Sequence, residues 1–66
     1  MMARVEIYSN ENLLPTGEKL PFVPFSRNFY ALIAQCESHT EQGATFINPN
    51  VAIIPMDLNR RLVVTL

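Results

Sequence analysis

The sequence has a single cysteine, Cys36, among its 66 residues. A disulfide within one chain is therefore excluded, and with it the usual covalent support of a very small domain. A chain of this length forms one domain at most, and it buries only roughly 60% of its unfolded surface on folding. We therefore predict a homo-oligomer, most simply a homodimer, in which a second copy supplies the missing stability.

Charge is sparse and nearly balanced. Six acidic residues face five basic ones, which gives a formal net charge of -1, and no run of like charge occurs. The charge distribution therefore provides no long-range attraction to nucleic acid. The first residues lack the apolar core of a signal peptide, and the longest aliphatic run, VAII, is far too short to span a bilayer. We expect a cytoplasmic protein with no membrane partner.

Glycine is also scarce, since Gly17 and Gly43 are the only two. Cys36 and His39 lie three residues apart and are the residue types of a nucleophile and its base. Such catalysis also needs an orienting group and an oxyanion site, and no glycine-rich turn is present to build one. Paired carboxylates, a phosphate loop and triad spacing are missing as well. The sequence therefore predicts no enzyme, no catalytic residue and no cofactor.

A zinc site is the second use that Cys36 and His39 suggest, with Glu41 or Asp57 as a further ligand. Structural zinc usually draws on four cysteine or histidine ligands, and this chain has two in all. A site shared across a two-fold axis would double that number. For the single chain we predict no metal site.

Regular alternation marks the first element, in the segment ARVEIYS. Ala3, Val5 and Ile7 fall on one side of it, and the intervening residues are polar or aromatic. This period of two predicts a strand with one face toward solvent. The later segment KLPFVP must run as an extended arm, because each proline holds the preceding residue in an extended conformation. Leu20, Phe22 and Val23 are apolar, so we predict that the arm folds into the core.

A helix is predicted after the arm, with Ser26 as N-cap and Gly43 as the residue that ends it. Four residues between them follow the helical spacing i, i+3, i+4 and i+7 and form one apolar stripe: Phe29, Leu32, Ile33 and Cys36. Cys36 therefore reads as a core residue.

Three short strands follow Gly43, in ATFIN, VAIIPM and RRLVVTL. Apolar neighbours such as Val63 and Val64 make both faces of their sheet apolar, and one helix covers only one face. The arm or another molecule must cover the second face. The run LVVTL carries no edge-blunting charge, so we expect it to pair inside its own sheet or across a dimer axis. The prediction is one α+β domain over residues 1–66, in the order strand, arm, helix and three strands, with the helix on an antiparallel or mixed sheet.

The stretch TFINPNVAIIPMDLNRRLVVTL resembles the strand and turn pattern of small FlbD-like flagellar proteins. Ile47, Asn48, Pro49, Asn50, Ile53 and the terminal Val-Thr-Leu are in step with that pattern. The resemblance covers the last third of the chain and implies a tight Asn-Pro-Asn turn between two strands. We carry no function over from it.

For function we predict a non-enzymatic protein-interaction module, of the adaptor or inhibitor type, acting as a homo-oligomer; its size suggests a phage, plasmid or bacterial accessory protein. One alternative is a dimeric nucleic-acid-binding regulator, in which arginines and aromatic rings form a phosphate-binding and base-stacking patch. Another is a minor structural subunit of a larger assembly. The candidate interaction surface comprises Phe22, Val23, Arg27, Tyr30, Arg60, Arg61 and Val63.

Overall fold

A computed structural model describes residues 3–66. It has a four-stranded antiparallel sheet and one helix, in the order β1 (Arg4–Ser9), α1 (Phe29–Thr40), β2 (Thr45–Asn48), β3 (Val51–Pro55) and β4 (Arg60–Thr65). The spatial order of the strands is β1-β4-β3-β2, and every neighbouring pair is antiparallel. The α+β class and the element order predicted from the sequence are confirmed.

The core lies between the helix and one face of the sheet. The predicted apolar stripe of α1 is buried, and Cys36 is fully inaccessible to solvent. Alternate residues of the strands pack against this stripe, because side chains at every second position share a sheet face. These buried strand residues are Ile7, Ala52, Ile54, Leu62 and Val64.

The apolar strand β4 lies in the middle of the sheet, between β1 and β3. Its register places Val64 opposite Val5 on one side and opposite Ala52 on the other. Pairing on both edges explains why the run needs no blunting charge. Of the two alternatives expected from the sequence, pairing inside its own sheet is the one observed.

Both helix ends differ from the prediction. The N-cap is Asn28, not Ser26: its extended backbone (φ -153°, ψ 173°) precedes the helix, and its Oδ1 accepts a hydrogen bond from the Ala31 N–H at 2.9 Å. Ser26 Oγ instead donates to the Asn28 carbonyl. At the other end Glu41, not Gly43, adopts the left-handed conformation, with φ 58°. The Glu37 carboxylate then accepts from the Ala44 N–H at 2.7 Å and directs the chain into β2.

The proline arm is only partly folded into the core. Leu20 and Phe22 are half-buried against it, whereas Val23 is 81% exposed, so the prediction for Val23 is wrong. The side-chain amide of Gln35 holds the arm beside the helix: Nε2 donates to the Val23 carbonyl and Oε1 accepts from the Phe25 N–H. The arm therefore belongs to the helix layer.

Two hairpin turns are fixed by their own side chains. Asn48 Oδ1 accepts from the Asn50 N–H at 2.8 Å, which closes the Asn-Pro-Asn turn between β2 and β3. Asp57 Oδ1 accepts from the N–H groups of Asn59 and Arg60 in the turn before β4. These bonds, with the guanidinium of Arg60 beside it, lower the pKa of the Asp57 carboxyl. The Asn-Pro-Asn turn expected between two strands is thus present.

Candidate functional site

The seven residues of the predicted interaction surface do not lie together. Phe22 and Val23 are on the arm, and Arg27 and Tyr30 flank the start of the helix. The other three are in β4, where Arg60 and Arg61 are consecutive and so point to opposite sides of the sheet. A single patch that joins both arginines to the aromatic rings is therefore not formed.

Arg60 is bound within the chain. Its guanidinium contacts Glu18 Oε2 at 2.8 Å and Asp57 Oδ2 at 2.9 Å. Two carboxylates around one guanidinium leave little positive charge for an external phosphate. Arg60 therefore joins the β3–β4 turn to the segment before the arm.

Arg61 lies on the outer face of the sheet, which is the face opposite the helix. Its guanidinium is 5.2 Å from the centre of the Tyr8 ring, and its nitrogens donate to the carbonyls of Ser9 and Asn12. These contacts hold the loop after β1 against the end of the sheet. Both terminal nitrogens of the Arg61 guanidinium thus donate within its own chain.

The outer face also carries three half-buried aliphatic residues, Val51, Ile53 and Val63. Ile53 and Val63 are register partners on neighbouring strands. The one helix within residues 3–66 packs on the other face, as does the arm. The outer face is therefore the apolar surface of the sheet that the described part of the chain leaves uncovered.

An aromatic cluster at the β2 edge is the second exposed apolar surface. Phe46 lies 6.1 Å from Phe29 and 5.9 Å from Tyr30, measured between ring centres. Phe29 is buried, whereas Tyr30 is 69% and Phe46 42% exposed. Every residue of β2 is exposed, including Ile47 at 61%. We call Tyr30, Phe46 and Ile47 the β2-edge surface.

Sequence reasoning found Tyr30 but missed Phe46 and Ile47. A signal for them exists in the sequence, because residues 43–51 contain no charge. That signal alone does not tell an edge strand from a buried one. The strand order decides it, since β3 is the one strand that pairs with β2 within residues 3–66.

Cys36 and His39 are not arranged as a nucleophile and base. Cys36 lies in the core, where burial, with a smaller contribution from the nearby Glu37 carboxylate, raises the pKa of its thiol to about 11. His39 is exposed, and its ring stacks on that of Phe22. Within residues 3–66, no three histidine, cysteine, aspartate or glutamate side chains are grouped closely enough to hold a metal ion.

Over the same residues, the helix is neither long nor apolar enough to cross a membrane. Comparison of the sequence and structure with protein-family models, curated proteins and solved structures found no match. The local resemblance of residues 45–66 to FlbD-like proteins is therefore not supported by a family match. Function must be argued from the surfaces themselves.

Proposed function

We propose that this chain is a non-enzymatic protein-interaction module that acts as a homodimer. The observation that supports it most directly is the β2-edge surface, which combines an open strand edge with an exposed Phe46 and Tyr30. Natural monomers normally protect such edges with lysine, proline or a bulge that turns the strand away. β2 does contain an irregularity in register between Phe46 and Asn48, but it carries no charge.

Pairing of β2 with its copy across a two-fold axis would bond the open strand edge and cover the exposed rings. The same strand meets itself in such an interface, so an antiparallel pair forms without any second complementary surface. The pairing would join two four-stranded sheets into one of eight strands. It would also place two sets of Phe46 and Tyr30 rings at the centre of the interface, where aromatic residues contribute most to binding energy.

The outer face of the sheet supports the binding of a further protein. Val51, Ile53 and Val63 provide an apolar centre, and polar side chains such as Glu6 lie beside them. An apolar centre with a polar rim is typical of protein interfaces. Nucleic-acid binding is less well supported, because Arg60 and Arg61 point to opposite sides and make contacts within the chain.

The oligomeric state tests the proposal. Sedimentation at micromolar concentration should give a dimer of about 15 kDa, twice the 7.5 kDa of the chain. Phe46→Glu should give a folded monomer, because two carboxylates would meet at the axis. Leu58→Glu is the matched control, since Leu58 is 96% exposed in the β3–β4 turn, and it should remain a dimer.

Two outcomes contradict the proposal. A wild-type protein that sediments as a monomer at these concentrations contradicts self-association, and a dimer that survives Phe46→Glu contradicts the role of β2. The size of the assembly also separates the module from a structural subunit. A closed dimer supports the module, whereas an open polymer supports a subunit of a larger assembly.

A further inference from the structure

A groove lies at the opposite edge of the sheet, between the start of β1 and the end of the arm. Residues 3–5 form one wall, residues 24–26 form the other, and Leu32 of the helix lines it as well. Its volume is about 440 Å³. This volume is within the range of roughly 300–1,000 Å³ found for ligand sites, and it is ample for one or two side chains.

The β1 wall presents backbone groups to the groove. The Ile7 carbonyl accepts a hydrogen bond from the Thr16 N–H at 2.8 Å, so Ile7 directs its backbone groups away from β4. In an antiparallel strand every second residue points to the same edge, which places the N–H and carbonyl of Val5 on that edge too. Pro15 and Thr16 cover only the end of β1 near Tyr8. Within residues 3–66, no strand pairs with this edge at Val5.

The arm wall is held in place before any ligand arrives. The Gln35 amide bonds to Val23 and Phe25 at 3.0 and 2.9 Å. Phe25 itself is 84% exposed and borders the groove. A wall that is fixed in advance reduces the entropy lost on binding.

The charged side chains beside the groove include two arginines, one of which forms an ion pair with Glu6. Arg4 is the charged residue among those that line the groove, and its side chain is 68% exposed although it also contacts Glu6. Arg27 is exposed next to Ser26, which lines the other wall. A ligand that carries carboxylates therefore complements this site better than a cationic one.

We propose that the groove binds an extended acidic segment of a partner protein, which adds as a strand to the free edge of β1. The segment hydrogen-bonds to Val5, places one apolar side chain over Leu32 and directs a carboxylate toward Arg4. Strand addition uses main-chain bonds for affinity and a side-chain pocket for specificity. The inference rests on the proposed protein-binding function, but it uses the sheet edge opposite β2.

The probe for the test is a fluorescein-labelled peptide, Glu-Val-Glu-Val-Glu, with Lys-Val-Lys-Val-Lys as its charge-reversed counterpart. Fluorescence anisotropy should show that the acidic peptide binds at least about tenfold more tightly than the basic one. Hydrogen exchange followed by NMR should show that the Val5 amide becomes at least about tenfold slower to exchange in the complex. The Phe46 amide, on the other edge, should be unchanged.

Val5→Pro removes the N–H that donates to the added strand. Because this N–H points away from β4, the ladder to β4 is kept, and proline is tolerated at such edge positions. The variant should keep its circular dichroism spectrum and lose the acidic peptide. If Val5→Pro does not fold, Arg4→Glu is decisive instead, because it should reverse the preference between the two peptides. Phe46→Glu is the control and should bind the acidic peptide as the wild type does.

Three results overturn the inference. The first is that a folded Val5→Pro binds the acidic peptide with unchanged affinity, or that Arg4→Glu keeps the original preference. The second is that the Phe46 amide, and not that of Val5, becomes protected. The third is that the acidic peptide fails to bind at millimolar concentration. A dimer that shows any of these results still supports self-association through β2, so the two proposals fail separately.

Discussion

The ring of Phe22 stacks on the imidazole of His39, with ring centres 4.3 Å apart and planes inclined by 7°. The contact joins the proline arm to the last turn of the helix, four residues after Gln35. Together with the Gln35 bonds to Val23 and Phe25, it fastens the arm at two places. An arm with two prolines is thereby part of the fold, and one wall of the groove beside β1 depends on it.

Phe22→Ala should lower the free energy of unfolding by about 2 kcal/mol, because the half-buried ring loses its contacts with the core and with His39. A fully buried phenylalanine would lose roughly 3–5 kcal/mol. Val23→Ala is the matched control, since Val23 is 81% exposed, and it should change stability by no more than about 0.5 kcal/mol. Urea denaturation measures both. Equal effects for the two variants would show that the arm is not docked through Phe22.

The helix start provides a second test. Asn28→Ala removes the side-chain oxygen that accepts from Ala31, and should cost about 1 kcal/mol of stability. Ser26→Ala removes a hydroxyl that donates to the Asn28 carbonyl, which still accepts from the Leu32 N–H, so it should cost less than half as much. Thermal unfolding followed by the far-ultraviolet circular dichroism of the helix compares the two variants. A larger loss for Ser26→Ala would place the N-cap two residues earlier.

Cys36 should react slowly and make the fold sensitive to alkaline pH. A pKa of about 11 against an ordinary value of 9.0 leaves roughly a hundredfold less thiolate near pH 8 in the folded protein. Alkylation by iodoacetamide should be slower than that of the urea-unfolded chain by at least this factor.

The sign of the pH effect follows from the raised pKa. Because the folded protein holds the thiol neutral, the contribution of Cys36 is complete below pH 9 and is lost as the pH rises toward 11. Unfolding free energies of wild type and Cys36→Ala should therefore converge over this range. Parallel pH profiles for the two proteins, or fast alkylation at neutral pH, would contradict the buried thiol.

Periodicity in the sequence predicted the elements well. Alternation in ARVEIYS and the stripe from Phe29 to Cys36 identified the buried faces of β1 and α1, because burial imposes a period of two or 3.6. The helix ends were missed, since Ser26 and Asn28 are both good caps and Gly43 is the more usual residue where Glu41 adopts a positive φ. Residue preference alone cannot decide between such neighbours, because the ends are set by which side chain makes the capping bonds, here Asn28 to Ala31 and Glu37 to Ala44.

The surfaces were harder to predict than the elements. β2 is uncharged and β4 is apolar after its two arginines, yet β4 is central and β2 is an edge. Strand order depends on long-range pairing, which no local pattern in residues 45–65 encodes. The same reasoning explains Arg60 and Arg61: the alternation of β4 separates them onto two faces, but the partners Glu18 and Asn12 lie more than forty residues away in the sequence.

Val64→Lys should unfold the domain, because Val64 is fully buried between Val5 and Ala52 on the neighbouring strands. An unpaired ammonium group in this position costs several kcal/mol, which is comparable to the whole stability of so small a domain. Val63→Lys is the matched control one residue away. Val63 is half-buried on the outer face and pairs in register with Glu6, so the new ammonium group can reach both water and a carboxylate.

Circular dichroism and the dispersion of NMR amide signals should show a folded Val63→Lys and an unfolded Val64→Lys. The stability of Val63→Lys should remain within about 1 kcal/mol of the wild type. If an outer-face partner exists, Val63→Lys should also weaken its binding without affecting the dimer formed through β2. Two folded variants of equal stability would mean that the faces of β4 are not divided into a core side and an outer side. Unfolding of Val63→Lys alone would mean that the helix packs on the face of the sheet that carries Val63.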